Sequence, residues 1–151
     1  MLAALDKALE IRDTLHSSGK IKEGMTQLEI AKAYETYLFG LNVQNGIGKS
    51  DPSCIEYDTA YAALINRKAD CVGRAAAFNL LMHVEGISAQ GVGGSFHGTE
   101  IGHVTSRVVL DGEEYFSDWG TRRYLGRKEM YETTYKFWFD PDSLTFAREM
   151  K

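Results

Sequence analysis

Three residues in this 151-residue chain have the types and the order that nucleophilic chemistry requires: Cys71, then His103, then Asp118. A thiol attacks a carbonyl as its thiolate, so a nucleophilic cysteine needs a setting that lowers its pKa. It also needs a base to hold its proton and a third group to orient that base. Cys71 opens the stretch "DCVGRAAAFNLLMHVEG", in which Asp70 is a good helix N-cap. Ala75, Phe78, Leu81 and Met82 supply an apolar face, and Gly86 is a natural stop. Cys71 then stands at the first helical position. Free N–H groups and the positive end of the helix dipole favour a thiolate there. Its own N–H is also placed to hold a developing oxyanion.

The base and its orienting group come from a hairpin. Asp111-Gly112 is a strong two-residue turn signal between alternating segments. Leu110 then faces Glu113 and, counting back along the ladder, Thr105 faces Asp118. His103 is two residues from Thr105 and therefore on the same face. His103 and Asp118 become diagonal neighbours about 7–8 Å apart, within reach of an imidazole–carboxylate hydrogen bond. A one-residue slip would separate them onto opposite faces.

The elements around these residues follow from period and punctuation. Leu2, Leu5, Leu9, Ile11 and Leu15 predict a first helix, ended by Ser17, Ser18 and Gly19. Thr26 followed three residues later by Glu29 is a capping box and starts a second helix. "NVQNGIGKSDPS" reads as a loop, and "TAYAALINRKA" as a short helix leading to the cysteine. Beyond Gly86, "ISAQGVGG", "GHVTSRVVLDG" and "EEYFSDWG" read as strands. "YKFWF" is a further strand, and Asp140-Pro141 starts a turn. The expected organisation is one domain over residues 1–151. N-terminal helices span 1–45, the cysteine helix and sheet 55–120, and a C-terminal segment 121–151.

Composition narrows the classes. A net charge of −4 argues against nucleic acid as the partner, and no apolar run is long enough to insert into a membrane. "MLAALDKALEIRD" carries charges within its apolar pattern and has no cleavage-site signature, so no signal peptide is read. A cytoplasmic site or a processed extracytoplasmic domain both fit. Two cysteines, Cys54 and Cys71, with no CxxC, make neither a disulfide scaffold nor a zinc site. Cys54 lies in a polar loop as a bystander thiol. "GVGGSFHG", Gly91 to Gly98, lacks the Lys-Ser/Thr of a phosphate loop and is expected to form a mobile loop carrying His97. His16 and His83 are expected to be structural, and Phe137, Trp138 and Phe139 to be packing residues or an aromatic wall.

"AYAALINRKADCVGRAAAFNLLMHVEGI", followed by "GHVTSRVVLDGEEYFSDW", resembles the core of the transglutaminase-like superfamily of the papain-like fold. The resemblance covers roughly Tyr57 to Trp119, and "YKFWFDPDSL" is similar to the ending of bacterial members. It implies an α+β domain in which a cysteine-bearing helix packs on an antiparallel sheet. It implies catalytic roles for Cys71, His103 and Asp118, and amide acyl transfer through a thioester without metal or cofactor. The substrate would be a protein or peptide. Members often carry an aromatic residue three positions after the cysteine, where this chain has Arg74. They often carry Trp-Asn where it has Thr105 and Ser106. A non-catalytic binding module on the same fold is the alternative expectation. Oligomeric state is open.

Overall fold

The computed structural model describes residues 2–46, 56–96 and 102–150. Cys54, His97 and Gly98 lie outside the described residues. Helices α1 (Leu2–Ser17) and α2 (Gln27–Gly40) are followed by a two-residue strand, β1 (Gln44–Asn45). A single π-helical turn, Ala62–Asn66, stands where a short helix is predicted, and leads through β2 (Lys68–Ala69) into α3 (Cys71–Val84). Next come β3 (Ala89–Phe96), β4 (Gly102–Leu110), β5 (Glu113–Asp118) and β6 (Arg123–Gly126). The last elements are α4 (Lys128–Thr133), β7 (Phe137–Phe139) and α5 (Pro141–Glu149).

β3 to β7 form one antiparallel sheet in the order β6-β5-β4-β3-β7. Alternation along its strands gives two cores. Ala89, Val108 and Leu110 face α1, α2 and α3 and join Ile11, Leu38, Phe78, Leu81 and Met82. Val92, Phe116, Phe137 and Phe139 face the other way and are covered by Tyr131 of α4 and by Leu144 and Ala147 of α5.

The hairpin that sets the register forms as its turn chemistry dictates. Asp111 and Gly112 both have positive φ, 54° and 81°, and the ladder runs from Leu110↔Glu113 to Ser106↔Ser117. The Asp111 carboxylate also accepts the N–H groups of Gln27 and Leu28 at 3.2 and 3.3 Å. The hairpin tip is thereby docked on the start of α2, beside the Thr26–Glu29 capping box. β1 pairs in parallel with β2, so the chain leaving α2 is held against the chain entering α3.

Two expectations are corrected. The strand read over Ile87 to Gly94 forms from Ala89 and continues to Phe96, so the loop reading of the glycine-rich stretch is overturned for Gly91 to Phe96. Glycine has low strand propensity, but here it makes room for a neighbour: a Cβ at Gly94 would fall 2.4 Å from the Trp138 carbonyl oxygen and 2.6 Å from the Phe137 ring. β7 can pair with β3 only because those atoms are missing. Asp140-Pro141 begins a helix instead of a turn. Asp140 is the N-cap, accepting from the Asp142 N–H, with Pro141 at the first helical position.

Candidate active site

The start of β4 and the end of β5 meet at one end of the sheet, and the first turn of α3 lies against the same end. Asp70 caps α3, its carboxylate accepting the Gly73 N–H at 2.9 Å. The Trp119 indole N–H, just past β5, donates to the Arg74 carbonyl at 3.0 Å. That bond fixes the height of the helix start relative to the strand end. Cys71 is half-buried there as a free thiol.

His103 Nε2 lies 2.7 Å from Asp118 Oδ2. The side chains of both are largely shielded from water, at 14% and 9% exposure, which leaves little solvent to compete for that bond. The Cys71 thiol hydrogen-bonds His103. Phe96 and Phe137 flank the imidazole at 5.0 and 6.0 Å between ring centroids and limit its rotation.

The electrostatics of the pair favour charge separation. The hydrogen bond from His103 pulls the Cys71 thiol below its ordinary pKa; burial opposes this, and the Val104 backbone N–H adds to the pull. Burial pulls His103 down, but Asp118 and Cys71 together outweigh it and carry the imidazolium up to about 9. Both shifts favour the thiolate–imidazolium pair over the neutral pair. The hydrogen bond with His103 is the largest of the influences on the thiol.

The residues singled out in the sequence fall as follows. Cys71, His103 and Asp118 come together. His83 is structural, its Nε2 2.9 Å from the Ala89 carbonyl, and His16 lies 2.6 Å from Glu85. Phe137 borders the imidazole, while Trp138 points outward, 55% exposed.

Three groups went unread: the Val104 N–H, Phe96 beside the imidazole, and Glu35 behind Asp118. Glu35 sits at a core position of α2, between Ala31 and Leu38 on one helical stripe, and an acid in an apolar stripe is the signal that was available. It is 3% exposed and accepts a short hydrogen bond from Ser117, the neighbour of Asp118. Burial pushes its carboxyl up to about 7, with Ser117 and the Leu125 N–H pulling the other way.

A folded acid that holds its proton longer than the unfolded one stabilises fully below the unfolded pKa of 4.5. That contribution is lost as pH rises through about 7. Glu35→Gln is expected to flatten this dependence, on the order of 3 kcal/mol between the two limits. Urea unfolding of both proteins from pH 4.5 to 8 measures it, and parallel stability curves would refute the assignment.

With the geometry in place, the fold can be compared with solved structures. A crystal structure of a TGase superposes at TM-score 0.65 and 16% identity, covering 88% of this chain and 36% of the other. A candidate cysteine protease from Cytophaga hutchinsonii superposes at TM-score 0.60 and 15% identity, covering 87% of this chain and 41% of the other. The fold is transglutaminase-like, an α+β arrangement of the papain-like type. This chain spans less than half the length of either structure. No family model and no curated protein matches the sequence. Among the described residues, no helix is long and apolar enough to cross a membrane.

Proposed function

We propose that this chain is a cysteine-dependent acyl-transfer enzyme acting on an amide of a peptide or a glutamine side chain. The observation that carries the reading is the hydrogen-bonded series from Cys71 through His103 to Asp118, in which the thiolate and the imidazolium are both favoured. The Cys71 thiolate adds to the carbonyl carbon. The C–N bond breaks, and the proton on His103 passes to the departing nitrogen. The acyl group is left as a thioester on Cys71, facing a neutral His103. Water or an amine then attacks while His103 takes its proton, and expulsion of the thiolate restores the ion pair. Asp118 holds the ring orientation and stabilises the imidazolium. The Cys71 N–H, ahead of the first intrahelical bond, is one donor for the oxyanion.

The test has two arms. Iodoacetamide labelling across a pH series, read by mass spectrometry, is expected to modify Cys71 at mildly acidic pH, well before Cys54. His103→Ala should move the Cys71 profile to higher pH. In parallel, glutamine and peptide amides are assayed with and without added amine, to separate hydrolysis from cross-linking. A Cys71 that stays inert until unfolding would remove the enzyme reading and leave a binding module on the same fold.

A further inference from the structure

Next to the thiol lies a feature that the acyl-transfer steps do not use. A cavity of about 170 Å³ opens between the end of α2, the first turn of α3 and the turn after β5. Arg74, Arg122, Asn42, Trp119 and Gly120 are among its lining residues, and no carboxylate is. Two guanidinium groups therefore border one small space with no anion lining it.

Their donors are largely unused. Arg74 Nη2 donates to the Val43 carbonyl at 3.0 Å, and its Nε is buried with no acceptor. Among the described residues, neither Arg74 nor Arg122 forms an ion pair. The nearest carboxylates acting on Arg74 are Asp118 and Asp70, one bonded to His103 and the other capping α3. Buried donors are ordinarily satisfied, and charged ones bind carboxylates most strongly through paired N–H groups.

The surrounding backbone holds both arginines in place. A Cβ at Gly120 would fall 2.3 Å from Arg74 Cδ, so glycine there is what lets the Arg74 stem pass. Arg122 sits in the left-handed region at φ 62°, its N–H on the Trp119 carbonyl at 3.1 Å. Its guanidinium is 5.1 Å from the Phe39 ring centroid. Arg74 follows Cys71 by three positions, which places their Cβ atoms on one helical face about 5–6 Å apart. The Arg74 stem starts beside the thiol and carries its guanidinium to the cavity, so a group held there is a few residues along an extended peptide from the carbonyl that Cys71 attacks. The volume accommodates a carboxylate with its stem.

We propose that the cavity between Arg74 and Arg122 is a carboxylate subsite of the active site, selecting acyl donors that carry a carboxylate within a few residues of the attacked amide. The inference rests on the acyl-transfer reading for its role, but its binding can be measured without turnover. Either a chain-terminal carboxylate or an acidic side chain supplies the chemistry.

The full-length Cys71→Ala protein is titrated calorimetrically with three acetylated peptides that share one glutamine-containing core. One ends in a free carboxylate. One is amidated and carries a glutamate beside the glutamine. One is amidated and neutral. At least one anionic peptide is expected to bind about tenfold tighter than the neutral one, with the ratio falling as salt rises. Arg122→Gln, which leaves the Arg74–Val43 bond in place, should bring that ratio close to one, while Arg122→Lys retains part of it. Equal binding of the three peptides, or an undiminished ratio in Arg122→Gln, overturns the subsite.

Wild-type turnover of the same peptides separates the two readings. Discrimination in binding without turnover supports the subsite and removes only the acyl-transfer reading. Turnover with equal kcat/KM for all three overturns the subsite and leaves acyl transfer standing.

Discussion

Cys71→Ala and His103→Ala are each expected to lower kcat/KM on an amide substrate by about 10³-fold or more, and Asp118→Asn to leave a measurable residual rate. Removing the thiol removes the bond-forming atom. Removing the imidazole removes both the proton carrier and the main cause of the lowered thiol pKa. Asparagine at 118 can still accept the Nε2–H bond, so the ring keeps its orientation but loses its counter-charge.

The pH profile distinguishes these roles. In the proposed mechanism the ion pair exists from the depressed thiol pKa up to about 9, where His103 gives up its proton. A carboxylate neighbour raises that upper limit, so Asp118→Asn should move the alkaline limb to lower pH. A full pH series of kcat/KM on the three variants is the measurement. Full activity in Cys71→Ala, or an alkaline limb that Asp118→Asn leaves in place, would contradict the proton assignments.

Gly73→Ala is expected to destabilise the protein and disturb the site together, although alanine is the better helix former. Gly73 lies in the first turn of α3, beneath the segment that enters it. A Cβ there would stand 2.2 Å from the Tyr57 carbonyl oxygen and 3.0 Å from that of Thr59. Both obstacles are backbone, so no rotamer change relieves them. The Tyr57 carbonyl also accepts the Asp70 N–H at 3.0 Å, so pushing it away loosens the cap that places Cys71.

The gain of about 1 kcal/mol from replacing a helical glycine is outweighed by an overpacking cost of about 2–3 kcal/mol. The melting temperature should fall by about 5 °C, with a larger proportional loss in iodoacetamide reactivity of Cys71 at acidic pH. Thermal unfolding and labelling of the same preparation test both halves. A variant with unchanged melting and unchanged labelling would show that the crossing segment yields freely.

What could be read in advance was local. Asp70 before Cys71, and Asp111 before Gly112, each fix a backbone geometry within a few residues, and the period of two carried that geometry along the hairpin to His103 and Asp118. What could not be read depends on partners remote in sequence. Gly91 to Phe96 looks like a loop until β7 lies beside it, filling the space its missing side chains leave. Asp140-Pro141 is ambiguous between a turn and a helix start, and its outcome depends on Leu144 and Ala147 finding cover against β3. In the sequence Arg74 shows only as a departure from the aromatic residue that members often carry three positions after the cysteine. Only the approach of Gly120 and Val43, 46 and 31 residues away, makes it a wall of a cavity. Glu35 carried a local signal, an acid in an apolar stripe, but its neighbour Ser117 is 82 residues off.

β7 is the most aromatic strand of the sheet and stands on its edge among the described strands. An exposed aromatic edge is a template for intermolecular strand addition and fibril growth. The chain restricts that template to three residues. Lys136 enters in the left-handed region at φ 56°, which turns the backbone sharply before the strand, and Asp140-Pro141 converts it to helix directly after. Pro141 also has no N–H to offer a further strand. The register that lets Phe137 border the imidazole is thus kept short enough that the sheet stops growing there. The edge that such addition would use is confined to three residues by Lys136 on one side and Asp140-Pro141 on the other.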